Sequence, residues 1–416
     1  MKLRNTAIAL GVGAATAAGL SLLKVNKEVV IGSTAAVTSA GFFMLSKKDK
    51  EDKNADFYKK TGDSKLDLGN AKEAIEDFTK AIEINPNFAR AYNNRGNAKG
   101  KLEDLEGAIE DYLKAIEIDP NLPHPYHNIG RKKTQLGELE TAIEYFNQSI
   151  EIHSNPVRGE SYRCRGAIKL DSGDIEGGLF DINKALEIDP NDLNTIATLS
   201  YAKWLNDEHQ QALDESEKVL KVDPENISGL FTRGISKEDL EDHKGAISDL
   251  TQVIDKAPQY LAFLQRGLAF KNLNQYQEAI DDFTKALEIN PENAYIYSER
   301  GNAKFSLENN EDALDDFNRA IEIDPEISDY YFHRGFARAN LDDLDGSKND
   351  WFKAAGLGNR PAVRALNEFI FPNVQGLLEI ESEDPNDFQS YKRRCLLLSR
   401  VDPLGAIEGY SNLLEI

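Results

Sequence analysis

Cysteine is scarce in this chain of 416 residues, because only Cys164 and Cys395 occur. The two lie far apart and lack the spacing of metal ligands, so nothing indicates a disulfide framework or a zinc site. Basic residues are also few, with 49 Lys and Arg against 71 Asp and Glu, which gives a net charge of −22. A surface this acidic repels phosphate backbones, which argues against nucleic acid as the main partner.

The charge is unevenly distributed along the chain. The first 60 residues hold ten basic and five acidic side chains, so they carry +5 and the remaining 356 residues carry −27. A basic leader suits an anionic membrane surface. Solvated acidic side chains explain most of the remaining charge.

Two long runs without a charged residue open the chain, at 6–23 and 29–45. As helices they would be about 25–27 Å long, close to the thickness of the bilayer core. Small residues recur every four positions, which lets two membrane helices approach closely. These residues are Gly11, Ala15, Gly19, Gly32, Ala36 and Ala40. We predict a transmembrane hairpin at residues 1–45, followed by a charged linker at 46–54.

Two alternatives stay open for this segment, namely a cleaved secretory signal in the first run or a single membrane span. Lys2 and Arg4 precede the first run, and four lysines follow the second within the linker. Positive residues prefer the cytoplasmic side. We therefore expect the rest of the chain on the cytoplasmic side of a bacterial inner or thylakoid-type membrane.

From residue 55 to about residue 361 the sequence repeats itself about every 34 residues. The nine repeats begin at Ala55, Ala89, Pro123, Gly159, Leu193, Ile227, Tyr260, Ala294 and Ser328. Position 8 of the repeat is glycine in eight of the nine. Position 20 is usually alanine, position 24 often aromatic and position 32 usually proline. Small residues let two helices cross closely, and proline ends the second helix.

This spacing of glycine, alanine, aromatic residue and proline resembles the tetratricopeptide repeat family. The triplets Asn94-Arg95-Gly96 and Glu299-Arg300-Gly301 look like bacterial, notably cyanobacterial, versions. The resemblance implies an all-α fold, a right-handed superhelical solenoid of about nine to ten helix pairs with a concave peptide-binding groove. Residues 362–416 would add C-terminal helices with a degenerate tenth repeat.

One coupling between positions predicts a structural contact. Arginine at position 7 and aspartate at position 23 occur together in six repeats, whereas the third repeat, with Ile129 and Tyr145, has neither. We predict a bridge between the two helices of each repeat. The predicted pairs are Arg95–Asp111, Arg165–Asp181, Arg233–Asp249, Arg266–Asp282, Arg300–Asp316 and Arg334–Asp350.

No catalytic constellation stands out in the sequence, so we expect no enzyme and no cofactor. The stretch 96–101 is one residue short of a phosphate loop. His124 and His127 have no evident third ligand, and 342–345 lacks the alternation of a calcium loop. We therefore predict no metal site.

The resemblance implies that positions 2, 5, 9 and 12 of each first helix face the groove. These positions are mostly polar in repeats two to four and often apolar in repeats five to nine. The candidate partner-binding residues are Asn93, Asn97, His127, Arg131, Arg163, Tyr201, Trp204, Phe231, Ile235, Leu261, Leu264, Leu268, Phe305, Phe332 and Phe336. Any apolar one could instead pack within the array, and the segment 362–370 could fold back as an internal ligand.

The family's clamp for a C-terminal carboxylate is only partly matched. Lys59 and Asn94 fit its pattern, whereas Asp63, His124 and Asn128 depart from it. The departures argue against that ligand.

We therefore predict a non-catalytic scaffold or adaptor that is attached to a membrane through residues 6–45. Its groove would bind peptides or amphipathic helices of other proteins and help a membrane complex to assemble. Alternatives are a structural protein that self-associates through its C-terminal end and an exported repeat protein with a cleaved signal. An enzyme is disfavoured, because no region outside the repeats is large enough for a catalytic domain.

Overall fold

The computed structural model describes residues 47–152 and 156–366, with side-chain surroundings from residue 51 onward. The predicted hairpin, Cys395 and the degenerate tenth repeat lie outside these residues. A right-handed superhelix likewise stays a prediction. The described part is all-helical and is built of nine helix pairs and a short final helix.

The first helices of the pairs are α1 (Lys47–Asp67), α3 (Ala89–Lys101), α5 (Pro123–Gln135), α7 (Arg158–Asp171), α9 (Leu193–Leu205), α11 (Ile227–Asp239), α13 (Tyr260–Asn272), α15 (Ala294–Ser306) and α17 (Ser328–Asn340). The second helices are α2 (Ala71–Ile84), α4 (Leu105–Ile118), α6 (Leu139–Glu151), α8 (Ile175–Ile188), α10 (His209–Val222), α12 (His243–Lys256), α14 (Tyr276–Ile289), α16 (Asn310–Ile323) and α18 (Leu344–Gly356). The final helix is α19 (Arg360–Ala365).

Most first helices begin at the residue where a sequence repeat begins. The first helix of the chain differs, because α1 already starts at Lys47. Residues 47–54, which we expected to form a linker, are therefore helical. One contact that anchors this extension joins Asn85 Nδ2 to Asp52 Oδ1 at 3.3 Å.

The chain divides into two compact units, an N-terminal unit that ends at Thr232 and a C-terminal unit that begins at Arg233. Within each unit, the two helices of a pair contact each other, and each second helix contacts the first helix of the next pair. Neighbouring first helices also touch directly, as α3 does α5 and α15 does α17. The first helices therefore form one layer within each unit, which we call the first-helix layer.

The repeat glycine at position 8 lies against the side chain at position 24 of the same repeat. A Cβ atom on Gly62 would lie 2.7 Å from Phe78 Cε1, and one on Gly96 would lie 2.6 Å from Tyr112 Cε1. These rings are buried, with Phe78 0 % and Tyr112 2 % exposed. The glycine is thus required because an aromatic ring occupies the space of a side chain, as the small-residue pattern predicted for two close helices.

Candidate binding groove

All six predicted arginine–aspartate bridges are confirmed, and each is bidentate. The Nη2–Oδ1 distances are 2.6–2.7 Å and the Nε–Oδ2 distances 2.7–2.9 Å. The aspartate side chains are at most 7 % exposed. A buried carboxylate requires such a charged partner, so these pairs fix the register of the two helices that carry the groove residues.

A second cation, at position 11, contacts the same aspartate in five of these repeats at 2.8–2.9 Å. Repeat seven differs, because Phe270 holds that position and its ring lies 5.8 Å from Arg266 Cζ. Burial accordingly raises the pKa of Asp282, and only the single Arg266 guanidinium opposes the shift. The second cation therefore compensates part of the cost of burying the carboxylate.

The same guanidinium also joins consecutive repeats, a contact that the sequence analysis missed. Arg95 Nη1 donates to Thr79 Oγ1 of the preceding second helix at 3.2 Å, and Arg300 Nη1 donates to Thr284 Oγ1 at 3.1 Å. The equivalent acceptors elsewhere are Asn147, Thr251 and Asn318. The signal was present in the sequence, since Thr or Asn stands at position 25 before each of these arginines.

The polar residues of the N-terminal unit form one hydrogen-bonded network across α3 and α5. Asn128 Nδ2 donates to Asn93 Oδ1 at 3.1 Å and to Asn97 Oδ1 at 2.9 Å. The Tyr112 hydroxyl donates to the same Asn97 oxygen at 2.8 Å. Asn93 is buried and Asn97 half-buried, so the structure brings these two predicted residues together mainly by contacts within the layer.

The two residues that fit the carboxylate clamp are already occupied by Asp63. Its Oδ2 lies 2.6 Å from Lys59 Nζ, and its Oδ1 accepts from Asn94 Nδ2 at 2.7 Å. A ligand carboxylate would have to compete with this fixed carboxylate for the same donors. The geometry therefore agrees with the argument against that ligand.

His127 is buried between neighbouring helices, and 3 % of it is exposed. Its Nδ1 lies 2.9 Å from Ser161 Oγ and its Nε2 lies 3.4 Å from Glu160 Oε2. Burial, followed by the nearby Arg131 and Arg163, lowers the His127 pKa to about 3. The ring is therefore neutral near pH 7.

This serine, histidine and glutamate trio resembles the components of a hydrolase site. Ser161 is 0 % exposed, however, and it also contacts Ser149 Oγ at 3.0 Å. A nucleophile must reach its substrate, so the trio as placed acts as packing. Among the described residues, no group of three or more His, Cys, Asp or Glu side chains is arranged to hold a metal ion.

Arg131 and Arg163 are the charged members of the predicted groove in the N-terminal unit. Arg131 is exposed, whereas the Arg163 side chain is 14 % exposed. Arg163 Nε lies 3.9 Å from Asp192 Oδ2, which is too long for a hydrogen bond. Both cations belong to first helices, so they lie on the same layer as the asparagine network.

Two aromatic residues of α9 lie together on the first-helix layer of the N-terminal unit. The rings of Tyr201 and Trp204 stack with centroids 5.9 Å apart and planes 17° apart. Both residues are half-buried. They present a flat apolar surface of the type that anchors protein partners.

Burial corrects the prediction for three apolar candidates. Phe231 is 9 %, Ile235 1 % and Leu264 5 % exposed, so they pack within the array and do not line a groove. Phe231 and Leu264 hold position 5 of their repeats, whereas Ile235 holds position 9. Leu264 belongs to the same buried cluster as Ile296 of α15, the first helix of the next repeat.

The remaining apolar candidates, all in the C-terminal unit, are half-buried. Leu261 and Leu268 pack against the cluster around Leu264 and Phe283. Phe305 packs against the cluster of Ala313, Phe317 and Ala337. The rings of Phe332 and Phe336 lie 5.0 Å apart, edge to face, and Phe336 lies 5.0 Å from Trp351. Each of these side chains has one side in the core and the other accessible.

An ion pair that the sequence did not lead us to predict lies on this layer. Lys271 of α13 contacts Glu299 of α15, and Glu299 is 8 % exposed. The pair ties two neighbouring first helices together. A glutamate at position 6, where repeats two to seven carry an uncharged residue, was the available signal.

Comparison with protein families assigns the repeats. A model described as "Tetratricopeptide repeat" matches residues 89–122, 260–293 and 294–327, a "TPR repeat" model matches 62–103, and a further "Tetratricopeptide repeat" model matches 123–155. Residues 62–155 and 260–327 are therefore tetratricopeptide repeats. The search of curated proteins found no match. Tetratricopeptide arrays in general expose an extended binding surface.

Solved tetratricopeptide structures are among the similar folds. PilF of Pseudomonas aeruginosa has 20 % identity and a TM-score of 0.46, covering 51 % of this chain and 96 % of that chain. MamA 41-end from Desulfovibrio magneticus RS-1 has 21 % identity and a TM-score of 0.38, covering 40 % and 95 %. A tetratricopeptide repeat protein from Parabacteroides merdae has 18 % identity and a TM-score of 0.42, covering 59 % and 97 %.

None of the helices within residues 47–152 and 156–366 combines the length and apolar character needed to cross a bilayer. The two apolar runs that carry the membrane prediction lie outside these residues.

Proposed function

We propose that this protein is a scaffold that binds segments of other proteins on its first-helix layer. The observation that supports this most is the set of half-buried aromatic rings in the C-terminal unit, on neighbouring helices α15 and α17. Phe305, Phe332 and Phe336 each have one side fixed against the core. Aromatic side chains held in this way lose little entropy on binding and often dominate binding energy.

An amphipathic helix is the proposed occupant of this surface. Its anchors repeat every three or four residues and would meet rings from two adjacent helices. Half-buried Leu261 and Leu268, on α13 of the same unit, would extend the apolar surface.

The test begins with affinity capture by the full-length chain and identification of the bound proteins. The purified partner is then titrated calorimetrically into the chain and into a Phe305→Glu/Phe332→Glu variant. The matched control is Phe180→Glu, because Phe180 is 58 % exposed on the second helix α8. We expect at least a tenfold loss of affinity in the double variant only, which corresponds to about 1.4 kcal/mol.

Two results would contradict this proposal. Equal affinity of the double variant and the control would show that the partner binds elsewhere. A large fall in the melting temperature of the double variant would assign both rings to the core. Circular dichroism of all three proteins separates these cases.

Attachment to a membrane through residues 6–45, with a role in the assembly of a membrane complex, is a further part of the proposal. It is supported by the two uncharged runs and the lysines that flank them. Both ends of the hairpin would then lie on the cytoplasmic side. Protease added to intact cells should leave the repeats uncut, and digestion of the repeats would instead indicate a single span or export.

A further inference from the structure

A cluster of cations lies on the first-helix layer of the N-terminal unit, although the chain as a whole is acidic. We call it the basic patch and define it as Arg90, His124, Arg131, Lys132 and Arg163. These residues come from three consecutive first helices, α3, α5 and α7, of which α5 touches both of the others. Arg90 and Arg131 are exposed, and the other three are half-buried.

Gly100 makes room for one of these cations. A Cβ atom on Gly100 would lie 3.0 Å from Lys132 Cε and 3.1 Å from its Nζ. The ammonium group of α5 therefore lies across the end of α3. This brings Lys132 onto the same surface as the arginines.

Two carboxylates lie near the patch. Glu160 lies 3.4 Å from His127 Nε2, and its side chain is 56 % exposed. Asp192 lies 3.9 Å from Arg163 Nε. That Nε is buried and has no hydrogen-bond partner among the described residues. A buried guanidinium N–H without an acceptor is unfavourable, so the site favours an anion that could reach it.

The electrostatic effect of the patch is visible on its own members. Burial, and then Arg131, lowers the pKa of Lys132. Burial, and then Arg90, lowers the pKa of His124. The charge of the patch comes from its arginine and lysine side chains, in a chain whose net charge is −22.

We propose that the basic patch binds an acidic segment of a partner protein through its Asp and Glu side chains. This rests on the proposed scaffold function and names the partner chemistry for the N-terminal unit. Opposite charge on patch and segment favours the encounter and fixes its register. Guanidinium groups recognise carboxylates by paired hydrogen bonds. A free C-terminal carboxylate is not needed, because Asp63 already occupies Lys59 and Asn94.

The test uses the full-length chain and a fluorescent peptide with six Glu and Asp residues and an amidated C-terminus. A matched peptide carries Gln and Asn instead. Fluorescence anisotropy should show at least tenfold tighter binding of the acidic peptide, weakening as salt is raised. Arg90→Glu/Arg131→Glu should lose at least tenfold. Lys72→Glu/Lys244→Glu, two exposed lysines on second helices that give the same change in net charge, should stay within twofold.

Several results would overturn the inference. These are equal binding of both peptides, an equal loss in the two charge-reversed variants, or binding only of a peptide with a free C-terminal carboxylate. Sedimentation showing that Arg90→Glu/Arg131→Glu converts a dimer to a monomer would place a second copy on the patch and also overturn it. The apolar variant Phe305→Glu/Phe332→Glu should bind the acidic peptide normally, so failure here and failure of the scaffold proposal are distinguishable.

Discussion

Replacing Asp316 with alanine tests how much the buried arginine–aspartate bridges stabilise the array. Asp316 receives Arg300 Nε at 2.9 Å, Arg300 Nη2 at 2.6 Å and Lys304 Nζ at 2.8 Å. A hydrogen bond to a charged group contributes about 1.5–3 kcal/mol, but removing one member of a buried pair costs about 3–5 kcal/mol in all. We therefore expect Asp316→Ala to lower the local free energy of unfolding by about 3–5 kcal/mol.

Asp282→Ala is the matched control in the same unit. The side chains of Arg266 and Arg300 are both 17 % exposed, but repeat seven has Phe270 where repeat eight has Lys304. One charge-assisted contact fewer is lost, so the destabilisation should be smaller by about 1.5 kcal/mol. The raised pKa of Asp282, caused first by burial, agrees with this order.

The assay must resolve segments, because repeat arrays need not unfold in one step. Hydrogen exchange of the α14 and α16 amides, together with guanidinium denaturation followed by circular dichroism, measures the local and the total loss. The reasoning is refuted if Asp282→Ala costs as much as Asp316→Ala, or if both cost less than about 1 kcal/mol.

Three further predictions follow from single residues. The added methyl group of Gly335→Ala would overlap the Trp351 indole and should lower the free energy of unfolding by about 1–3 kcal/mol. Tryptophan fluorescence should shift as well, and an unchanged melting temperature would contradict the expected overlap. Glu308 has a φ of 62°, a left-handed conformation that strains a residue other than glycine. Glu308→Gly should therefore raise the free energy of unfolding, measured by denaturation, by about 0.5–1 kcal/mol, and a decrease would contradict this strain. Burial, then two nearby arginines, lowers the His127 pKa to about 3 from an ordinary 6.5. The folded state thus binds fewer protons than the unfolded state, so the free energy of unfolding should fall as pH drops from about 6.5 towards 3. Denaturation of His127→Gln at each pH should show a smaller fall.

The repeat period was enough to predict the helix pairs and the bridges within them. Every arginine at position 7 is matched by an aspartate at position 23 of the same repeat, and such matching of opposite charges indicates a contact. The glycine and aromatic positions likewise indicated a contact between the two helices of a repeat, since Gly62 faces Phe78. These contacts lie within one repeat, where the spacing along the chain fixes the geometry.

The groove was harder to predict, because exposure depends on the neighbouring repeat. Leu264 and Phe332 both hold position 5, yet Leu264 is 5 % exposed whereas Phe332 is half-buried. His127, also at position 5, is fixed by Ser161 of the next repeat. Hydrophobicity at a position therefore does not separate binding residues from packing residues. The sequence of residues 47–54 likewise does not indicate that Asp52 contacts Asn85 of the second helix.

The guanidinium that reaches back to the preceding helix imposes a rule on how such arrays can change length. A repeat inserted or removed by duplication keeps this contact when it brings a Thr or Asn at position 25 next to an arginine at position 7 of its new neighbour. Where the third repeat has Ile129 instead, the preceding position 25 is Leu113, which is 45 % exposed. Both halves of the junction have changed together. Repeats that carry Thr or Asn at position 25 and arginine at position 7 can therefore replace one another without losing this contact. At the Leu113–Ile129 junction, an exchanged repeat would bring an arginine that finds no acceptor.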